Sequence, residues 1–554
     1  VATVFTTEAT MPLGRAVLDV IDAHVLTQPT RNVSWDPEAE AFIVADVIEG
    51  DALDAYFGVP AAPFEHNPGS WSEGNRVDAA HFLEDGQDRY AGGTLHAGIG
   101  RVINGSFMAP ALGFVAEGGA PKNVPFQWDA SDAPTWSLEA MIPFTLFLCD
   151  EHLGDPANLP VAIFTHGGTG HRSSGLAWAN LNCQLGVATI AYDNIFHGGR
   201  IQLALNSDET VILPTRLDAF NAYTGLTLED EGFVPDQAGD NGGGPETVGQ
   251  LYALPAGLDP GIAEGNLLTM MSDTHALVRL VKEGDWGQIQ EGLSFDDTKI
   301  FHQGLSYGSS FTTPLLALTR DFVGEVWSVG SGAMVAANLC TAPENAELAT
   351  GFMRFTLGLA PLGEELLAAV WLDPIVGMIQ WLTQRGDPMG YAPYVLRHRE
   401  DDYTLPIIAT GNSWDETLGA AAQLSFGQAL GLPVYTHGED WTLDPTQPAV
   451  DTVVATAYQG TPLVGNVTFG DRTHSAALFY SRQTCHAMQI RPVCSATYQK
   501  PYPPIVELEE PLVEASPICA IQTATKAFMA SLLGGATHPE IAAPEGTCEA
   551  LYVP

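Results

Sequence analysis

The stretch Lys299-Ile-Phe-His-Gln-Gly304-Leu305-Ser306-Tyr307-Gly308-Ser309-Ser310 sets a Gly-x-Ser-x-Gly pentapeptide between a β-branched, aromatic run and the helix-compatible Thr312 to Thr319. Glycine two residues either side of a serine suits a strand-to-helix turn too tight for a Cβ, with the hydroxyl exposed at the strand's end. Ser306 is therefore a candidate nucleophile. A serine hydroxyl attacks poorly at neutral pH, so it needs a base to take its proton and donors for the oxyanion that forms. Donors are expected where Val161 to Thr165 runs into His166-Gly167-Gly168-Thr169-Gly170, a loop whose N–H groups can approach a ligand with no Cβ in the way. A phosphate-binding loop is the competing use of such glycines. The chain has no Gly-x-x-x-x-Gly-Lys, and no Gly-x-Gly-x-x-Gly follows the first strand.

The elements that must position these loops begin near residue 136. Apolar runs at Leu159 to Thr165, Val187 to Tyr192, Lys299 to Gln303, Glu325 to Val329 and Leu405 to Thr410 alternate with helical stretches. Parallel strands need crossover connections, so this alternation predicts an α/β fold with a mostly parallel sheet covered on both faces. Residues 1–135 read instead as a β-rich N-terminal extension of short segments cut by Gly, Pro, Asn and Asp, and 136–554 as the catalytic domain. Two insertions interrupt that domain. The turn-rich 201–265 lacks EF-hand spacing and reads as a loop, and 335–400 is apolar at helical spacing, as core helices, a lid or an acyl pocket would be.

With the second strand running into Asp193-Asn-Ile-Phe-His197-Gly198-Gly199-Arg200, three loops stand in order: His-Gly, Asp-x3-His-Gly, and the serine turn. In this the chain resembles the α/β-hydrolase superfamily, specifically its bacterial serine esterases and lipases, over about residues 140 to 535. The resemblance implies the α/β-hydrolase fold and a triad in chain order Ser, Asp or Glu, His. It places the acid in the polar loop after Leu405 to Thr410, at Asp415 with Glu416 as alternative; a helix N-cap is the competing use of Asp415. For the base it points to His474, in Gly470-Asp471-Arg472-Thr473-His474-Ser475-Ala476-Ala477, a loop read as entering a helical stretch. His437, which closes the strand Leu432 to Thr436, is the next candidate, ahead of His486 and His538; His302 and His166 read as structural. The oxyanion donors would be the N–H groups of Tyr307, Gly167 and Gly168. The implied activity is hydrolysis of carboxylic esters, of small acyl, lipid or polymer type, with neither metal nor organic cofactor. A peptidase of the same fold and a catalytically silent binding module are the alternatives.

Composition bounds the partners. The 22 basic and 66 acidic side chains among 554 residues leave a net charge of −44, which excludes phosphate neutralisation as a mode of binding nucleic acid. The 45% hydrophobic content argues for a folded chain. Leu366 to Leu382, the best candidate for a membrane span, is broken by Asp373. The chain opens at Val1 with neither Met nor a basic stretch followed by an apolar one, which suggests a processed or trimmed chain. Among seven Cys, the spacing predicts local bridges Cys485–Cys494 and Cys519–Cys548, with Cys340 unpaired, in an extracellular, periplasmic or cell-surface location. Neither Cys-x-x-Cys nor His-Glu-x-x-His is present, so a zinc site has no support.

Overall fold

The structure, a computed structural model, describes residues 10–31, 34–36, 41–43, 47–50, 52–53, 98–117, 120–130, 133–168, 170, 172–197, 200, 259–333, 354, 358–360, 374–399, 401–412, 418–436, 455–457, 462–481 and 517–542. Strands buried on both faces read as continuous apolar runs, because neither side chain direction meets water. That is how the central strands are built. The sheet comprises β1 (Thr30–Arg31), β2 (Val47–Glu49), β3 (Ile99–Pro110), β4 (Glu139–Cys149), β5 (Leu159–Thr165), β6 (Ala188–Tyr192), β7 (Phe295–Leu305), β8 (Phe322–Ser328), β9 (Ile407–Asn412), β10 (Val434–Thr436), β11 (Ala455–Ala457) and β12 (Ala476–Ser481). Its order is β1-β3-β4-β6-β5-β7-β8-β9-β12-β10-β11, with β2 also on β3. The strands from β6 to β11 in that order are mutually parallel, and β4 is antiparallel to both its neighbours. Their carboxyl ends therefore share one edge.

Side-chain alternation distributes the core over two faces. Val161, Ile163 and Ile300 pack with α1 (Thr10–Ala23), α3 (Pro260–Glu283) and α4 (Tyr307–Leu318), whereas Ala162, Phe164 and Phe301 pack with α2 (Leu176–Cys183) and α8 (Pro517–Leu533). Between them come α5 (Pro374–Leu382), α6 (Pro388–Val395) and α7 (Ala420–Leu430). Pro260 in its first turn and the Asp259 carboxylate, which accepts from the Gly261 N–H at 2.9 Å, start α3. This is the α/β-hydrolase fold.

Among the described residues of 1–135, α1 packs on α3 and α4, and β3 pairs with β4 in the central sheet. The end of the 201–265 insertion, from Pro260, is the first turn of α3, and 201–258 lie outside the described residues. Within 335–400, α6 packs on α4 and α7 as core, and α5 buries Val376 and Ile379 but leaves Trp381 54% exposed. The apolar stretch from Ala476 is strand β12 rather than helix.

A disulfide joins Cys149, at the end of β4, to Cys183, at the end of α2. The anticipated pairs lie outside the described side chains, as does Cys340. Closing 34 residues of separation restricts the unfolded chain enough to contribute about 3 to 4 kcal/mol. The double variant Cys149→Ala/Cys183→Ala is expected to lose that much in chemical denaturation, and an unchanged midpoint would contradict it.

Candidate active site

Ser306 follows the last residue of β7 and precedes the first of α4, with φ 54° and ψ −118°. A non-glycine residue in this region carries roughly 1 to 3 kcal/mol of backbone strain and must be held by its surroundings. Hydrogen bonds supply the hold. Its N–H donates to the Ser328 carbonyl at 2.8 Å, and its carbonyl accepts from Ser310 N at 3.0 Å and Ser310 Oγ at 3.1 Å. Ser310 Oγ in turn accepts from Ser331 N at 2.8 Å, and Ser309 Oγ both donates to and accepts from the Ser328 backbone at 2.9 Å. Ser309 and Ser310 thus tie the elbow to the loop after β8, a role that the Ser-Ser pair following Gly308 could have signalled.

The flanking glycines behave as the turn requires. A Cβ on Gly304 would stand 2.6 Å from Ser309 Cα, and one on Gly308 would run into the Thr165 carbonyl at the end of β5. The loop after β5 then closes on the serine: a Cβ on Gly167 would sit 2.9 Å from Ser306 Cβ and 3.4 Å from its Oγ. This proximity overturns the expectation of an exposed hydroxyl, for Ser306 is only 3% exposed. Enclosure removes competing water and strengthens any hydrogen bond made there. Tyr307 opens α4, where main-chain N–H groups lack helical partners and the helix dipole favours developing negative charge. Ser306, Tyr307, Gly167 and Gly168 are therefore gathered at the carboxyl ends of β5 and β7.

Histidines near the elbow serve as ties. His302 is fully buried, with Nδ1 2.7 Å from Glu325 Oε2 and Nε2 3.0 Å from Thr165 Oγ1, linking β7 to β8 and β5. Burial pushes the Glu325 carboxyl up, against the pull of His302. In the loop after β6, His197 Nδ1 donates to the Ile195 carbonyl at 2.8 Å, and Asp193 takes the guanidinium and N–H of Arg172.

His474 does not join this group. Along the register, Ala476 lies level with Ile407, Glu325 and His302, so His474 is six residues nearer the amino-terminal edge than Ser306. At about 3.3 Å per residue that is roughly 20 Å along the strands, beyond the reach of an imidazole. The error has a physical source: His474 precedes β12 instead of following it, because Ala476 to Tyr480 forms a buried strand. The strand that runs beside β9 to the serine's edge is β12, ending at Ser481, and His486 comes five residues later in the chain. His437 directly follows β10, one strand further out. Asp415, Glu416, His437 and His486 lie outside the described residues, as do Thr169, Gly198 and Gly199; Asp415 comes three residues after β9 ends.

Two buried imidazoles make stability depend on pH. Burial holds His474 down at about 4, reinforced by Arg472, Arg399 and His538. Burial and His166 hold His197 down at about 3. The unfolded chain protonates both near pH 6.5. Below that pH it takes up protons that the native state refuses, so stability falls from about pH 6.5 towards 4 for His474 and towards 3 for His197. Thermal melts are expected to show Tm declining across this window, less steeply in His474→Gln; equal slopes would remove His474 as a source.

No family model matches the chain, and no curated protein matches it in sequence. Among solved structures, it is similar to acetyl xylan esterase 1 from Thermoanaerobacterium sp. JW/SL YS485, at 10% identity and a TM-score of 0.38 over 86% of this chain and 88% of that one. A cold-adapted esterase from an Arctic intertidal metagenomic library matches at 14% identity and a TM-score of 0.26, over 60% of this chain and 80% of that one. The acylaminoacyl peptidase of Pyrococcus horikoshii matches at 10% identity and a TM-score of 0.29, over 70% of this chain and 45% of that one.

Proposed function

We propose that the protein is a serine hydrolase that cleaves carboxylic esters through an acyl-enzyme on Ser306. The observation that carries this reading is the strained backbone of Ser306 at the β7–α4 junction, with the Gly167 backbone against its hydroxyl. A β-turn serine of purely structural use has no need of a positive φ, nor of a glycine loop brought to within contact of its side chain. In the reaction Ser306 Oγ attacks the ester carbonyl while a histidine takes its proton, and the tetrahedral oxyanion is held by N–H groups of Tyr307, Gly167 and Gly168. The histidine then hands its proton to the leaving alcohol, and water hydrolyses the acyl-enzyme in a second passage through the same oxyanion site.

The acid in this reading is Asp415, after β9, which orients the base and stabilises the imidazolium. The base is His486, because β12 lies next to β9 and runs towards the edge where Ser306 sits. The substrate is a small acyl, lipid or polymer ester. Neither metal nor organic cofactor enters the chemistry. The buried Cys149–Cys183 disulfide and the large acidic excess support an extracellular, periplasmic or cell-surface setting. Among the described residues no helix is long and apolar enough to cross a membrane.

A fluorophosphonate probe followed by peptide mass spectrometry tests the proposal, together with a chain-length series of aryl esters. Labelling at Ser306 with ester turnover is the expected result. Absence of both would leave a non-catalytic binding module, and turnover confined to a peptide panel would make the enzyme a peptidase.

A further inference from the structure

The loop that closes on Ser306 is held from the neighbouring strand by Asn194, beside the His197 ring that packs on His166. Asn194, two residues past β6 and 1% exposed, donates its backbone N–H to His166 Nε2 at 3.0 Å and its side-chain Nδ2–H to the His166 carbonyl at 3.0 Å. His166 is itself fully buried, and its Nδ1 stands 2.7 Å from the Gly167 carbonyl. A carbonyl only accepts, so Nδ1 carries the proton; Nε2, receiving the Asn194 N–H, carries none. The imidazole is thereby neutral and in a single tautomer. The Gly167 carbonyl also accepts from Gly170 N at 3.1 Å, so it is pinned from two sides.

Because a trans peptide points its C=O and N–H in opposite directions, holding the Gly167 carbonyl fixes the direction of the Gly168 N–H. We propose that Asn194 is a positioning residue for the oxyanion donors: its backbone N–H sets the tautomer of His166, whose ring holds the Gly167 carbonyl, and its side-chain Nδ2 holds the His166 carbonyl and so aims the Gly167 N–H of the same peptide beside Ser306. This rests on the serine hydrolase reading. Asn194 touches neither the substrate nor the nucleophile in this scheme. Its own anchor is the preceding residue, Asp193, whose carboxylate accepts from Arg172 and whose carbonyl accepts from Arg200 Nη1 at 3.2 Å.

The oxyanion exists only after attack, so misaimed amides lower kcat and leave ground-state ester binding unchanged. Asn194→Ala removes the Nδ2 donor to the His166 carbonyl and keeps the backbone N–H to Nε2, so it reads the side chain's part in aiming the Gly167 N–H. On p-nitrophenyl acetate it is expected to lower kcat by about 10- to 100-fold with KM within twofold of the parent and with the thermal midpoint retained. A folded variant with kcat within twofold of the parent, or one whose loss lies entirely in KM, overturns the proposal. The second measurement needs no variant to fold: ¹⁵N-histidine NMR of the full chain, with the His166 ring assigned by through-bond correlation to its own backbone, is expected to show a neutral ring protonated at Nδ1. A ring protonated at Nε2, or at both nitrogens at neutral pH, overturns it. Failure of the hydrolase reading is distinguishable, since the unmodified protein would then neither turn over esters nor take the fluorophosphonate at Ser306.

Discussion

Ser306→Ala is expected to lower kcat on activated aryl esters by about 10⁴-fold or more while leaving the thermal midpoint within a few degrees of the parent. The size follows from chemistry. Removing Oγ deletes the atom that forms the acyl-enzyme, so only the oxyanion donors and substrate binding remain, and those act on a water that no residue delivers as well. The small effect on folding follows from the structure, because the bonds that hold the elbow run through the Ser306 backbone and through Ser309 and Ser310. Alanine keeps all of them. Full activity in this variant would remove the esterase proposal together with the mechanism built on it.

The second large effect separates three histidines. His486→Ala is expected to lower kcat by about 10³- to 10⁴-fold, because an uncharged serine then has no group to take its proton. His474→Ala is expected to leave kcat within about threefold of the parent and to act on stability, since its ring is buried on the opposite edge of the sheet, beside Arg472. His437→Ala belongs in the same series. Its strand lies outside β12, about 5 Å further from β7, so the expected change in rate is small. Steady-state kinetics with the three purified variants, each checked by melting, decides the matter. Loss of rate in His437→Ala with His486→Ala unaffected would transfer the role of base to His437, and loss in His474→Ala alone would contradict the register that places it.

What could be read from the chain and what could not divide along a physical line. The elbow at Gly304 to Gly308 and the His166 to Gly170 loop were legible because their chemistry is local: a few consecutive residues must be small, and glycine is the only residue without a Cβ. Strand Leu159–Thr165 was legible with its ends, as an apolar run between turn residues. The segment Ala476 to Tyr480 was not. Buried on both faces, it has no alternation to mark it as a strand, and a five-residue apolar run fits either period. Misreading it sent His474 to the wrong edge of the sheet.

The same limit governs the disulfide and the ties around the site. Cys149 and Cys183 meet because β4 and α2 pack together, while the sequence offered other cysteines at closer spacing. Nothing in the order Asp193-Asn194 announces that Asn194 grips a histidine 28 positions earlier. By itself the sequence determined the α/β alternation, the serine turn and the glycine loop, because these depend on backbone sterics and burial within short segments. Only the tertiary structure decided which strand ends share an edge, and so which histidine can approach Ser306, since lateral strand order is set by packing between distant segments and leaves no local trace in residue type.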